Sequence, residues 1–217
     1  MPQITDIVKQ KRDERFNIFL DEKFAFSISS YALVKNNLKV GSVLEQKQID
    51  DVQSREYLTG LTDLAVKFLG FRPRSEKEIK NYLAKKIAQK NEVKYNAASE
   101  SPLIALIVKK LKKYKYLDDY QFALWFLKSR INSKSRSLSV IKTELRAKGI
   151  SSDIVEKIIN NAPSEATQAK NVLSKKAKRW QKLTEIDFKK KAYAYLSSRG
   201  FDYSTIKEAV AFFQKKR

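Results

Sequence analysis

The sequence predicts a mainly α-helical protein of tandem three-helix repeats, about nine helices in all, with a small N-terminal segment that contains a β-hairpin. Three observations predict this fold class. A helical motif occurs three times, the apolar pattern is helical almost without a break from about Ser54 onward, and a short alternating stretch precedes it. Repeated helical modules stack on one another and tend to build extended binding surfaces.

The N-terminal segment, residues 1–53, contains one stretch with the periodicity of a strand. Apolar residues recur at alternate positions on both sides of Asp21-Glu22-Lys23. Period two around a short polar turn indicates a β-hairpin over residues 15–28. A lone hairpin is marginal in water, so this one has to pack on a helix or pair with another strand.

Three repeats follow, predicted at residues 54–116, 117–162 and 163–217. Pro73 interrupts the first apolar stripe because proline disfavours helix at the residue before it. Ser75 with Glu78 is a capping box that starts a helix, and Pro102 opens another at the first helical position. The next helix is predicted to begin at Asp118 or Asp119. Five later helices are predicted at about 137–148, 151–160, 164–180, 184–199 and 202–216.

The recurrent motif has an apolar residue, a leucine four positions later and a cation near the helix end. Its copies are Ile79–Leu83–Lys86–Ile87, Ile141–Leu145–Lys148–Gly149–Ile150 and Ala192–Leu196–Arg199–Gly200–Phe201. A four-residue step keeps both apolar residues on one helix face, and a cation in the last turn suits the negative end of the helix dipole. Gly149 and Gly200 are expected in the left-handed conformation, which glycine adopts without steric cost.

Composition excludes several classes of chemistry. The 217 residues include no cysteine and no histidine, which removes disulfides, thiolate zinc sites, cysteine nucleophiles and histidine acid–base catalysis. Asp118-Asp119 offers carboxylates for a divalent metal and nuclease chemistry. A helix cap is the favoured interpretation, because the sequence places no third ligand. We therefore expect no enzyme activity, no cofactor and no metal.

The charge is large and unevenly distributed. The net charge is +21, with 11 basic and 10 acidic residues in 1–73, 12 and 4 in 74–116, and 22 and 8 in 128–217. Segregation of this kind indicates a polyanionic partner. The N-terminus lacks the apolar core of a signal peptide, and no apolar run approaches the ~20 residues that span a bilayer. We expect a cytoplasmic protein without membrane contact.

Several motifs, in order along nearly the whole chain, resemble the RecX family, regulators of the RecA recombinase. They are Arg72-Pro73-Arg74-Ser75-Glu76-Lys77-Glu78-Ile79 with Tyr82-Leu83, then Leu117-Asp118-Asp119 with Phe122-Ala123 and Arg130, then Ile141, Glu144-Leu145 and Lys148-Gly149-Ile150, and finally Phe188-Lys189, Leu196 and Arg199-Gly200-Phe201. The hairpin resembles the N-terminal segment of the longer, Gram-positive-type members. One departure is visible, because the family usually has glycine–proline where this chain has Arg136-Ser137.

The resemblance implies tandem three-helix modules and a role on RecA–DNA filaments, limiting their growth and modulating strand exchange and coprotease activity. The partners it implies are the RecA filament and single- and double-stranded DNA, and we expect a monomer. A generic DNA- or RNA-binding protein of helix-turn-helix type is the alternative, although no recognition helix stands out. A metal-dependent nuclease is a third hypothesis, disfavoured by the absence of histidine and of an acidic cluster.

The candidate contacts with DNA or the filament are cations. For any single lysine simple solvation is favoured, but for the group a contact with phosphates or an acidic protein surface is favoured. Lysines 175 and 178 and Arg179 share one helix face, and Trp125 is interpreted as core in preference to a base-stacking platform. The candidates are Arg74, Lys80, Arg130, Lys142, Arg146, Lys175, Lys176, Lys178, Arg179, Lys189, Lys190 and Arg199.

Overall fold

A computed structural model describes residues 1–11 and 14–215 and confirms the predicted fold class. Within those residues it contains eleven α-helices and one three-stranded antiparallel sheet. The chain forms two compact units, one of Met1–Gly70 with Tyr82–Lys109 and the other of Phe71–Asn81 with Lys110–Arg217. No helix in the described part of the chain is long and apolar enough to cross a membrane.

The sheet contains the predicted hairpin and one further strand. Its strands are β1 (Ile4–Lys9), β2 (Arg15–Leu20) and β3 (Lys23–Ser29), in the order β1-β2-β3. Asp21 and Glu22 both have positive φ, 47° and 68°, which suits the tight turn of a hairpin. Strand β1, which the apolar pattern did not reveal, gives β2 the second partner that a lone hairpin needs.

Two helices follow the sheet, α1 (Ser30–Lys35) and α2 (Gln46–Gly70). Helix α2 begins at Gln46 rather than near Ser54, so the predicted boundary between residues 53 and 54 falls inside a helix. The side chain of Glu56 on α2 is 7% exposed. Its carboxylate accepts hydrogen bonds from Arg15 at 2.9 Å and from the backbone N–H and hydroxyl of Ser29 at 3.0 Å each. A buried carboxylate is tolerable because these donors satisfy it. The contacts therefore tie α2 to the last two strands of the sheet.

The remaining helices fall where the sequence predicts them, with two differences. The short α4 was not predicted, and α9 ends at Ala177 with a 3₁₀ turn, Lys178–Trp180, after it. A further unpredicted element is a π-helical turn, Arg130–Lys134, directly after α6. The predicted end of the last helix, 216, lies outside the described residues. The helices are α3 (Glu76–Asn91), α4 (Tyr95–Ser99), α5 (Pro102–Lys113), α6 (Asp119–Ser129), α7 (Leu138–Ala147), α8 (Ser152–Asn160), α9 (Glu165–Ala177), α10 (Glu185–Ser197) and α11 (Tyr203–Gln214).

The apolar pair of every motif copy is completely buried, at 0% exposure for each of Ile79, Leu83, Ile141, Leu145, Ala192 and Leu196. Full burial of an isoleucine or leucine side chain contributes about 1.5–3 kcal/mol. Gly149 and Gly200 are left-handed, with φ of 83° and 85°, as predicted. In the first copy, which lacks the glycine, α3 continues to Asn91, so Lys86 does not lie at a helix end.

The glycine turns also form a recurrent joint inside the second unit. The hydroxyl of Ser75, at the start of α3, donates to the carbonyl of Lys148 at 2.8 Å. The N–H of Ser137, before α7, donates to the carbonyl of Arg199 at 3.0 Å. Each serine hydroxyl also accepts from an N–H of its own helix. The start of one motif helix thus rests on the glycine turn that ends the motif helix of the following repeat.

Arg136 and Ser137, which stand where the resemblance implies glycine–proline, both contribute to this joint. Proline has no backbone N–H, so the usual family residue could not make the bond from position 137 to Arg199. The Arg136 guanidinium adds a second bond to the same helix end, 3.1 Å from the carbonyl of Ser198. Two polar contacts thus join this turn to the end of α10.

Candidate nucleic-acid interface

The third repeat presents a cluster of exposed cations at the end of α9. The side chains of Lys175, Lys178 and Arg179 are exposed, and none of them has an ion-pair partner within the described chain. Trp180 holds the 3₁₀ turn in place, because its ring packs against the rings of Phe188 and Tyr195. The distances between ring centroids are 6.3 Å and 5.7 Å. We call Lys175, Lys178 and Arg179 the α9 cluster.

Two further candidates of this repeat lie against the ring of Tyr195. The Lys176 ammonium is 5.5 Å from the ring centroid and the Arg199 guanidinium is 3.7 Å from it. Arg199 also donates to the carbonyl of Tyr195 at 3.3 Å. Cation–π contacts of this kind are worth about 0.5–1 kcal/mol at exposed sites and more when desolvated. Both cations therefore have a structural role in addition to any contact with a partner.

The remaining candidates of the third repeat, Lys189 and Lys190, are exposed on α10. The helix begins earlier than these residues because Thr184 caps it, accepting from the N–H of Asp187 at 3.1 Å. Neither lysine is in an ion pair among the residues that the structure covers. They supply two more cations that no carboxylate of the described residues neutralises.

The candidates of the second repeat are all held by carboxylates. Lys142 and Arg146 on α7 share Glu156 of α8, at 2.5 Å and 3.4 Å. The hydrogen bond from Lys142 is the main reason that the pKa of Glu156 is lowered. Arg130 pairs with Glu144, and its guanidinium lies 4.4 Å from the ring centroid of Phe126.

Two candidates lie near the start of α3. Lys80 pairs with Glu76 at 2.6 Å, and the same carboxylate takes Lys112 at 2.5 Å. Arg74 is half-buried, and burial together with the neighbouring charge of Arg72 lowers its pKa. The assignment of these residues to DNA or filament contact stays a prediction, as it does for the rest of the set.

One ion-pair centre was missed by the sequence reasoning. Glu78 accepts two bonds of 3.0 Å from the Arg72 guanidinium and one of 2.7 Å from Lys148. Burial raises the pKa of Glu78, but the hydrogen bonds from Arg72 and Lys148 outweigh it and lower the pKa to about 2. One half of the predicted capping box is confirmed, because the Ser75 hydroxyl accepts from the N–H of Glu78. The other half is wrong, because the Glu78 carboxylate binds Arg72 and Lys148 in place of the N–H of Ser75. The identity of the partners depends on the fold, which brings position 148 to position 78.

Trp125 is half-buried rather than fully buried. The centroid of its ring lies 6.0 Å from that of the Phe122 ring, in the apolar cluster of the second repeat. The guanidinium of Arg72 lies over the ring at 5.5 Å. These contacts favour the structural interpretation of Trp125 over a base-stacking platform.

The paired carboxylates act as helix caps. Asp118 accepts from the N–H groups of Tyr120 and Gln121 at 2.8 and 3.0 Å, which caps α6. Asp119 accepts from the N–H of Glu76 at 2.8 Å, at the start of α3, and burial raises its pKa. The capping interpretation is confirmed. In the described ranges, 1–11 and 14–215, no three acidic, histidine or cysteine side chains converge in a way that suits a metal ion.

Comparison with family models gives four matches along the chain. They are the Regulatory protein RecX N-terminal domain over residues 2–45 and the RecX first, second and third three-helix domains over 63–90, 118–158 and 164–210. These matches cover most of the chain and follow the order of the sequence motifs.

Known relatives and solved structures agree. The chain is 34% identical over 213 residues to the regulatory protein RecX of Bacillus subtilis, covering 97% of this chain and 76% of that one. It is 32% identical to the regulatory protein RecX of Listeria monocytogenes, and the match covers 95% of this chain and 74% of that one. A crystal structure of regulatory protein RecX matches with a TM-score of 0.61 at 25% identity, over 95% of this chain and 98% of the other. The crystal structure of RecX from Lactobacillus salivarius shares the fold, with a TM-score of 0.56 at 19% identity. This match covers 72% of this chain and 96% of the other.

Proposed function

The chain belongs to the RecX family of regulatory proteins, and from that premise we propose that it regulates RecA–DNA filaments. It binds the filament in the cytoplasm as a monomer, contacts single- and double-stranded DNA, and inhibits recombinase and coprotease activity in DNA repair and the SOS response. It acts by occupancy and catalyses no reaction. The proposed modules are residues 1–53, 54–116, 117–162 and 163–217.

The observation that carries the proposal is the α9 cluster, in a chain of this family. Exposed cations without an internal partner are free to neutralise phosphates and to release their counterions, which gives salt-dependent affinity for DNA. Lys189 and Lys190 extend the available charge on the same repeat. A repeat protein that contacts several filament protomers and DNA at once gains avidity from many weak contacts.

The other predicted contacts have a secondary place in this scheme. Lys80, Arg130, Lys142 and Arg146 reach a phosphate only by leaving a carboxylate. Exchanging one anion for another yields less free energy than neutralising a free phosphate with a free cation. Arg74, Lys176 and Arg199 combine a structural role with any contact they make.

ATP hydrolysis by RecA on single-stranded DNA, with and without the protein, tests the proposal. We expect inhibition at concentrations well below that of RecA, because one molecule on a growing filament stops the addition of many protomers. The control is a DNA-dependent ATPase unrelated to RecA on the same strand, whose activity we expect to be unchanged at those concentrations.

Two outcomes would contradict the proposal. Equal inhibition of both ATPases, reached only when the protein coats the DNA, is the behaviour of a generic DNA-binding protein. Absence of inhibition at any concentration would remove the regulatory role altogether. The salt dependence of DNA binding is a separate test. If the logarithm of the binding constant does not change with the logarithm of the salt concentration, the cations do not neutralise phosphates.

A further inference from the structure

The link between α5 and α6 exposes tyrosines and lysines that the proposed contacts do not use. All five residues from Lys112 to Tyr116 are exposed, and Tyr114 and Tyr116 are each 59% exposed. The flanking Leu111 and Leu117 are almost fully buried, at 1% and 3%. Two aromatic rings thus stand in solvent on a short segment that is anchored at both ends.

The backbone of this segment is preformed. The N–H of Tyr116 donates to the carbonyl of Leu111 at 2.9 Å, and that of Lys115 donates to the carbonyl of Lys112 at 3.0 Å. This pair of bonds is the Schellman motif, which ends a helix with one left-handed residue. The left-handed residue is Lys115, with a φ of 59°, at a position that usually takes glycine. A residue other than glycine costs about 1 kcal/mol there, and this one places a cation between the two tyrosines in the sequence.

The lysines of the segment differ in their availability. Lys112 is held by Glu76 at 2.5 Å. Lys113 lies 6.0 Å from the ring centroid of Tyr114, and neither it nor Lys110 or Lys115 has an ion-pair partner among the described residues. The nearest acids in sequence, Asp118 and Asp119, are both engaged as helix caps. Three available cations therefore lie within four residues of Tyr114 in the sequence, and one of them, Lys113, lies beside its ring.

We propose that Tyr114 and Tyr116 form a stacking platform for unpaired nucleobases of a DNA single strand, with Lys110, Lys113 and Lys115 on the neighbouring phosphates. Aromatic side chains interleaved with cations match a strand that alternates base faces with phosphates. A duplex hides its base faces, so the platform selects single strands. The inference rests on the proposed function only for the identity of the ligand as DNA, and it adds the part of DNA that is recognised.

Binding to three fluorescent oligonucleotides of one length tests this, measured by anisotropy. They are an oligothymidine, a strand of abasic sites with the same phosphates, and a duplex. Base–aromatic stacking is worth roughly 5- to 150-fold in affinity per base, so we expect oligothymidine to bind at least about tenfold more tightly than the abasic strand. The Tyr114→Ala/Tyr116→Ala variant should lose this preference and bind the abasic strand as the unchanged protein does.

Two further variants separate stacking from other causes. Tyr114→Phe/Tyr116→Phe keeps the ring faces and should keep the preference for bases. Tyr31→Ala is the matched control, because Tyr31 is 72% exposed on α1 and has Lys35 5.7 Å from its ring centroid. It should bind all three ligands as the unchanged protein does. Circular dichroism checks that each variant is folded.

The outcomes distinguish failure of the platform from failure of the proposed function. Equal binding of oligothymidine and the abasic strand by the unchanged protein would overturn the platform and leave DNA binding intact. Binding of neither ligand would contradict the DNA-binding part of the proposed function. A preference for bases that survives in the alanine variant would place base recognition elsewhere. If that variant fails to fold, photocrosslinking tests the platform in the unchanged protein, with a DNA single strand that contains 5-iodouracil. Crosslinks at Tyr114 or Tyr116 would support the platform, and crosslinks confined to other residues would overturn it.

Discussion

The second and third repeats carry similar motifs but use their cations differently. In the second repeat Arg130, Lys142 and Arg146 each contact a glutamate. In the third repeat the α9 cluster, with Lys189 and Lys190, has no ion-pair partner in the described chain. Net charge differs as well, because residues 117–162 hold 8 basic and 5 acidic residues, net +3, and residues 163–217 hold 14 and 5, net +9. What a cation can bind outside the protein depends on whether a neighbouring helix already supplies an anion.

The acids of the third repeat explain the difference. Glu165 accepts from the N–H of Ser139 at 3.1 Å, Glu185 from the side chain of Gln214 at 2.7 Å, and Asp187 from the hydroxyl of Thr184 at 2.7 Å. These carboxylates satisfy amide and hydroxyl donors rather than cations. Glu208, which takes Lys170 at 2.6 Å, is the exception. The third repeat therefore keeps most of its positive charge for a partner.

The largest expected effect is that of reversing the α9 cluster to glutamate. Lys175→Glu/Lys178→Glu/Arg179→Glu removes three phosphate contacts and adds three repulsions, so DNA affinity at low salt should fall roughly a thousandfold. Inhibition of RecA should disappear, while helicity stays unchanged because the three side chains are exposed. Anisotropy, the ATPase assay and circular dichroism measure the three quantities.

A matched control has the same change of net charge in the N-terminal unit. Lys39, Lys47 and Lys67 are all exposed, and reversing them should lower DNA affinity by less than about tenfold, through long-range repulsion alone. If both triple variants lose affinity equally, only net charge matters and the α9 cluster is no site. Full inhibition of RecA by a folded α9 variant would also exclude the cluster from the interface.

The next largest effect concerns the joint that both repeats share. A Cβ at position 200 would lie 2.3 Å from Cγ2 of Val140, and one at position 149 would lie 2.8 Å from Cβ of Lys77. Left-handed strain adds to each clash, so Gly200→Ala should lower the free energy of unfolding by about 3–4 kcal/mol and Gly149→Ala by about 2–3 kcal/mol. Urea denaturation measures both.

Gly60→Ala is the control for the glycine variants. A Cβ there meets nothing within 4 Å, and the residue lies inside α2, so the substitution should stabilise the protein by up to about 1 kcal/mol. If Gly200→Ala is as mild as Gly60→Ala, the start of α7 in the second repeat does not rest on the glycine turn of the third repeat.

Much of this fold could be predicted because its determinants are local. The four-residue apolar step, the serine and aspartate caps and the left-handed glycines all act within one helix or turn, and the buried motif residues confirm them. Strand β1 escaped prediction because its one buried residue, Ile4, shows no alternation, and its place depends on pairing with β2. The end of α9 was missed for a related reason, since the packing of Trp180 fixes the turn there.

The candidate site was less predictable than the fold. The sequence shows which residues are cations, but it does not show that Glu156 of α8 faces Lys142 and Arg146 of α7. Such pairs join different helices, so their partners follow from tertiary packing. The predicted exposure of the α9 cluster agrees with the structure, but the predicted shared helix face does not, because Lys178 and Arg179 lie on the 3₁₀ turn after α9.

A smaller effect is expected at Glu78, where the ion pairs join α3 to the following repeat. Its lowered pKa, about 2, means that the carboxylate stabilises the fold fully above the unfolded value of about 4.5 and less as the pH falls toward 2. Glu78→Gln should therefore cost about 1 kcal/mol near pH 6, given partial solvent screening, and almost nothing near pH 2. Urea denaturation of both proteins at several pH values measures the difference, and a constant difference would contradict this role.

The smallest expected effect tests the comparison of the repeats from the opposite side. Glu156→Gln releases Lys142 and Arg146, which should then add to the charge available for phosphates. DNA affinity should rise about threefold, and the slope of log K against log salt should steepen by roughly 0.7 for each phosphate newly neutralised on a single strand. Glu208→Gln is the matched control, because it releases Lys170 alone and so should steepen the slope by half as much. Unchanged affinity in Glu156→Gln would mean that these cations do not face DNA, and the predicted interface would then reduce to the third repeat.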